Sequence, residues 1–179
     1  MERAQGGDVD AYEALVRGST RRLYLTAYRI VRDADAAEDA TQQALVAAWR
    51  ELPSLRDPDR FEAWTYRLVV RACLTERRKH RRTGVREIAV DDLEIPSGHD
   101  AVDASDLRDQ LDRALGALPD DQRAVVVLHH YVGLPLIEIA EILGAPAGTV
   151  RSRLHHAKRS MRAAIEAADR TTIVGGQPA

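Results

Sequence analysis

The stretch Leu136-Ile137-Glu138-Ile139-Ala140-Glu141-Ile142-Leu143-Gly144-Ala145-Pro146-Ala147-Gly148-Thr149-Val150-Arg151-Ser152-Arg153-Leu154 reads as two helices joined by a sharp turn. The first eight residues form an amphipathic helix, and Gly144-Ala145-Pro146 breaks it. A second helix then runs from about Ala147 to Met161. Three positions carry the geometry. Ala140 is small, so the second helix can cross closely. Gly144, just past the helix end, can take the left-handed conformation that the turn requires. Val150 faces inward against the first helix. Separations of four and then six residues match a helix-turn-helix. From Arg151 to Arg162 there are five bases and no acid. The outward face carries Arg151, Ser152, His155, His156, Lys158 and Arg159, and Thr149 and Arg153 are further candidate DNA contacts of the same helix. Arginine can pair bidentately with guanine, and Ser and His can reach base edges or phosphates, so this helix is expected to lie in a DNA major groove. A plain helical hairpin with a solvated basic face is the alternative; the glycine, the spacing and the missing acids weigh against it.

Helical spacing recurs along the whole chain and no segment alternates long enough for a strand. The expected fold class is therefore all-α. Tyr12, Leu15, Val16, Leu23, Ala27 and Ile30 mark one apolar stripe, interrupted near Gly18-Ser19. A second helix follows Asp33-Ala34-Asp35, with Asp35 as the expected cap, and ends before Pro53. A third begins near Arg60 and runs through Trp64 and Leu68 into a basic run ending at Arg82. Helices resume near Asp106.

Charge is strongly segregated, although the net formal charge of the 179 residues is only −2. From Arg67 to Arg86 there are eight bases and one acid, Glu76. From Asp91 to Asp109 there are seven acids and one base, Arg108, in a stretch with Pro96-Ser97-Gly98 and no apolar period. We read four segments: a helical domain over 1–86, an acidic linker over 87–107, a second helical domain over 108–168 and a flexible tail over 169–179. What decides nucleic-acid binding is where charge sits, not its sum.

Glu38, Asp39, Gln42, Gln43 and Val46 share one helical face. By spacing alone such a face is by default solvated; a protein-docking surface is the functional reading. Arg60, Trp64, Arg67, Arg71 and Arg78 lie roughly along one side of the third helix, an arrangement suited to stacking bases and pairing phosphates of a single strand. A lone tryptophan is more often core. Phosphate contact is favoured for the dense run Arg77, Arg78, Arg81 and Arg82. His129-His130 and His155-His156 are adjacent pairs pointing about 100° apart on a helix, and the one cysteine, Cys73, supports no disulfide or zinc site. No phosphate loop, dinucleotide fingerprint or nucleophilic triad is present. We expect no metal, no cofactor and no catalysis. No signal sequence or run long enough to span a membrane is apparent, so no membrane insertion and a cytoplasmic location are expected.

With these residues in order, the chain resembles the extracytoplasmic-function (group 4) sigma factors, the sigma-70 family promoter-specificity subunits of bacterial RNA polymerase. Gly7 to Val16 resembles region 2.1, and Ala37-Glu38-Asp39-Ala40-Thr41-Gln42-Gln43-Ala44 through Trp49 resembles region 2.2. Phe61-Glu62-Ala63-Trp64 through Arg82 resembles regions 2.3 and 2.4. Leu118-Pro119 onward resembles region 4.1, and Gly133 to Met161 resembles region 4.2.

The resemblance implies two small helical domains, a region 2 bundle and a region 4 helix-turn-helix, joined by an extended acidic linker. It implies that Glu38, Asp39, Gln42, Gln43 and Val46 dock on the β′ clamp helices of core RNA polymerase. It assigns Ser54, Leu55, Arg56, Asp57, Arg60, Trp64, Arg67, Arg71, Arg77, Arg78, Arg81 and Arg82 to the −10 element of promoter DNA, the loop before the third helix holding an unstacked base. The recognition helix reads the −35 duplex, and the C-terminal domain touches the β flap. An anti-sigma factor and a stress or cell-envelope regulon are also implied. Three departures stand out: Gln42-Gln43 replaces the family's usual Gln-Glu, His156 stands where arginine is frequent, and Pro135-Leu136 replaces a polar cap and aromatic. The rival reading is a stand-alone regulator that binds duplex DNA through 147–161 and dimerises through its N-terminal half. The basic third helix and acidic linker, which such a regulator does not need, speak against it.

Overall fold

The structure, a computed structural model, describes residues 1–83 and 103–174. Among these residues there are helices and turns and no strand. A short α1 (Glu2–Gln5) and α2 (Val9–Arg17) precede α3 (Thr20–Val31), α4 (Ala34–Glu51) and α5 (Phe61–Thr83). After the undescribed segment come α6 (Asp103–Gly116), α7 (Asp120–Val126), α8 (Leu136–Leu143) and α9 (Ala147–Val174).

Local chemistry sets the ends. Asp8 caps α2 by accepting from the Ala11 backbone N–H at 2.9 Å. The cap of α4 is Asp33, which accepts from Ala36 at 2.8 Å; it corrects the expectation of Asp35, which lies inside the first turn. The extended backbone of Asp33 (φ −146, ψ 129) lets its carboxylate reach back over the helix start. Arg32, with φ 60, ends α3 in the left-handed region. At the other boundaries, α6 begins at Asp103, inside the expected linker, and α9 continues to Val174, inside the expected tail. The rest of the expected linker, up to residue 102, and residues 175–179 lie outside the described residues.

Helices α3, α4 and α5 pack as a bundle. The inner face of α4 is small (Ala37, Ala40, Ala44 and Ala48, all buried), so its neighbours approach closely, and Leu23, Ile30, Val69 and Val70 fill the space. Each such large aliphatic contributes roughly 1.5–3 kcal/mol on burial. In the C-terminal half, α9 packs on α6, α7 and α8. Between α7 and α8 the chain widens into a π-helical turn, Val127–Tyr131.

The two halves do not stand apart. One continuous apolar core includes Ile30 and Val31 of α3 together with Leu118, Val125, Leu128 and Ile139. The end of α3 is where they meet. Arg123 of α7, 3% exposed, donates to the Ile30 carbonyl at 3.0 Å and to Gly116 and Leu118 carbonyls at 3.1 and 2.7 Å. Arg77 of α5 bonds Asp120 of α7 at 3.0 Å. The Arg29 guanidinium lies 3.7 Å over the Tyr131 ring, and Arg32 pairs with Asp112 at 3.4 Å. Burying carbonyls at a helix end requires donors, and Arg123 of the C-terminal half supplies one to the end of α3.

Candidate nucleic-acid interface

The helix-turn-helix has the geometry its residues require. Gly144 takes φ 59, ψ 37. Its N–H bonds the Glu141 carbonyl at 3.3 Å, and Ala145 N–H bonds the Ala140 carbonyl at 3.0 Å. This double bond pattern is a Schellman motif. Ala140 and Val150 are both buried. On α9 the inward line Val150, Leu154 and Ala157 is buried, which leaves Thr149, Arg151, Ser152, His155, His156, Lys158 and Arg159 exposed together. Arg153 is placed differently: its Nε bonds Asp121 of α7 at 2.9 Å, and its side chain is 29% exposed. Nearby, burial, with His129 and Lys158 adding to it, holds the His130 imidazole below its ordinary value.

The expected −10 surface is built from the loop before α5 and from one side of α5. The loop consists of two tight turns, Leu52–Ser54 and Pro58–Arg60, with Asp57 accepting from the Asp59 N–H. Gln5 pins the loop by donating to the Leu52 and Leu55 carbonyls at 3.2 and 2.8 Å. That role was invisible in the sequence, because the partners are about fifty residues away. Ser54, Arg56, Asp57, Arg60, Arg67 and Arg71 are exposed, while Leu55 and Trp64 are half-buried. Trp64 has one side on the core and another on a groove.

That groove, of about 180 Å³, is also lined by Glu138, Glu141 and Ile142 of α8. Arg60 bonds Glu141 across it at 2.6 Å. Arg77 is turned into the junction of the halves, 14% exposed against Asp120, so it stands apart from the exposed arginines. The side chains of Arg78, Arg81 and Arg82 lie outside the described residues.

Glu38, Asp39, Gln42, Gln43 and Val46 are all exposed on α4. Val46 is 49% exposed although apolar, and it borders an open recess lined with Gln42, Gln43 and Arg50. Gln42 donates to Glu38 at 3.0 Å. Gln43 donates to Glu76 of α5 at 2.8 Å. Among the described residues no group of three or more His, Cys, Asp or Glu is placed to hold a metal ion, and no helix is long and apolar enough to cross a membrane.

The sequence matches the family Sigma-70 region 2 over residues 15–83 and Sigma-70, region 4 over residues 108–161. It is 30% identical to the ECF RNA polymerase sigma-E factor of Escherichia coli K12 over 172 residues, covering 90% of each chain. It is 29% identical to the RNA polymerase sigma-H factor of Pseudomonas aeruginosa, covering 93% of this chain and 92% of that protein. It is 28% identical to the ECF sigma factor SigW of Bacillus subtilis, covering 90% and 92%. The fold is similar to that of the sigma factor RpoE in complex with the anti-sigma factor NepR from Bartonella quintana, with a TM-score of 0.73 at 23% identity, covering 88% of this chain and 98% of that one. It is also similar to CnrH in complex with the cytosolic domain of CnrY, with a TM-score of 0.66 at 25% identity, covering 93% and 94%. A two-part helical chain with these surfaces is a sigma-70-type factor. It belongs to the extracytoplasmic-function sigma factors, the promoter-specificity subunits that bind core RNA polymerase and promoter DNA.

Proposed function

We propose that the chain directs RNA polymerase through three separate surfaces. The exposed face of α9 reads the −35 duplex, with Arg151, Ser152, His155 and His156 at base edges and Lys158 and Arg159 at phosphates. Arg153 contributes by fixing the angle of α9 on α7. The loop 52–60 and the exposed side of α5 take the opened −10 strand, with Trp64 as stacking surface and Arg60, Arg67 and Arg71 on phosphates. The α4 face with Glu38, Asp39, Gln42, Gln43 and Val46 docks on the β′ clamp helices. We assign region 2 to 1–86 and region 4 to 108–168, with the acidic segment between them as strap.

The observation that carries the reading is the α9 face, where seven polar residues are exposed over a buried Val150–Leu154–Ala157 line. The factor has no chemistry of its own, works in the cytoplasm, and serves a stress or cell-envelope regulon. An anti-sigma factor restrains it; sigma factors solved with anti-sigma partners share its fold. Run-off transcription with purified core polymerase tests this. Promoter-specific transcripts that disappear in an R151A/H155A variant are expected. Tight duplex binding by the chain alone, with no transcript from any genomic fragment, leaves the stand-alone regulator instead.

A further inference from the structure

The short helix α1 belongs to none of the three surfaces, yet it reaches the loop before α5. Ala4, 2% exposed, seats α1 on the core. Gly7, with φ 90, turns the chain between α1 and α2. Arg3 holds Asp8, the cap of α2, through Nε and Nη2 at 2.9 and 2.7 Å. Fixed in this way, α1 presents Gln5 to the loop. A side-chain amide carries two N–H donors, and Nε2 of Gln5 meets two carbonyls, Leu52 at 3.2 Å and Leu55 at 2.8 Å. The Leu52 carbonyl also accepts from the Leu55 N–H at 3.1 Å. Both ends of one tight turn are therefore tied to a single side chain.

Beyond that turn the backbone is extended at Leu55 (φ −73, ψ 107) and again at Asp57 (φ −116, ψ 105), which accepts from the Asp59 N–H. The arc 55–57 is held at its start by Gln5 and at its end by the Asp57 cap. Leu55 lines the groove together with Arg60, Trp64 and Arg67, while its carbonyl accepts from Gln5 behind it. Without Gln5 the peptide after Leu55 is free to rotate, and that rotation moves both the Leu55 wall and Arg56. We propose that Gln5 is a positioning residue for base selection at the −10 element, acting through the Leu52 and Leu55 carbonyls and not on the base. The inference rests on the reading of loop 52–60 as the holder of an unstacked base. Hydrogen bonds to a base edge weaken steeply with misalignment, so the pocket discriminates only as well as its wall is fixed. The other tie of α1, Arg3 to Asp8, is exposed at Arg3 and makes a control within the same helix.

The test uses holoenzyme assembled from the full chain and purified core polymerase. A randomised single strand is offered and the bound pool is sequenced. Binding of a mixed-sequence duplex is read by anisotropy, and folding of each variant by circular dichroism. L55A/R56A marks the positions of the selected motif that the loop holds. At those positions the parent should enrich the best base over the worst about tenfold or more, and Q5E should bring the ratio under about fivefold, the low end for an aligned base contact. Q5E keeps the shape of glutamine but sets an acceptor against two carbonyls. Other positions of the motif, and duplex affinity, should match the parent. Q5L removes the donors without adding charge; it should give a smaller loss of the same kind and serves if Q5E disturbs folding. Q5K supplies donors again and should recover the preference, and R3A should match the parent. A motif that changes in L55A/R56A but stays intact in Q5E and Q5L overturns the positioning role alone. Preference lost evenly at every position, together with duplex affinity, overturns it as well. A motif untouched by L55A/R56A overturns the loop reading itself, and the role of Gln5 with it.

Discussion

Gln43 on α4 donates from Nε2 to Oε1 of Glu76 on α5, 33 residues away, at 2.8 Å. Glu76 is 5% exposed and is also bonded by Lys79 at 2.6 Å. A buried carboxylate needs donors, and position 43 provides one across the helix pair. The departure from Gln-Glu at positions 42 and 43 thus has a physical reason in this chain: a glutamate at 43 would set a second acceptor against Glu76.

The Q43E variant should therefore be less stable by about 1–3 kcal/mol, as expected when a charged acceptor loses its donor and gains a like charge. Urea unfolding at neutral pH measures it. A variant as stable as the parent at neutral pH contradicts this account of Gln43.

At Gly144, added bulk meets nothing within 4 Å, so the cost of substitution is conformational alone. G144A should lose about 1–2 kcal/mol from the left-handed backbone, and G144N less, because asparagine tolerates that region. The order Gly, Asn, Ala in thermal midpoint is the check. Duplex binding should follow the same order, since the turn sets the crossing of α8 and α9.

The helix-turn-helix was legible because its determinants are local: a small residue, a glycine and an inward valine within eleven positions of one another. Helix existence along the chain was legible for the same reason. What escaped was long-range. Arg77 and Arg153 read as DNA-facing because their own helices are basic, yet each is paired with an acid of α7, Asp120 and Asp121. No periodicity announces a partner 43 residues away. The α4 cap was misplaced by two residues because Asp33 and Asp35 are equivalent in pattern, and only backbone conformation separates them. That α8 shares a groove with Trp64 was equally hidden, since acids on the outer face of a helix look solvated until the helix is docked.

Burial pushes the Cys73 thiol up to about 12 and the Tyr12 hydroxyl, which donates to the Leu45 carbonyl, up to about 12. Both groups are neutral when protonated, so the folded state holds its protons longer than the unfolded one. Their contribution is fully present below about pH 8.5, the unfolded thiol value, and is lost as pH rises toward 12. Stability should fall over that alkaline window, and C73A should fall less steeply. Thiol labelling at pH 8 should be slow and should accelerate in step with unfolding in urea. Rapid labelling of the native chain would place Cys73 outside the core.

The arginines of α5 separate into two physical classes, and salt dependence tells them apart. Arg67 and Arg71 are exposed; if they neutralise phosphates of the opened strand, R67A/R71A in holoenzyme should flatten the slope of log affinity against log salt by roughly 1.5. Arg77 is held against Asp120 at the junction of the halves. R77A removes a donor from a buried carboxylate, so it should cost about 1–3 kcal/mol of stability and leave the slope unchanged. A slope lowered by R77A as much as by R67A would return Arg77 to the strand-binding surface.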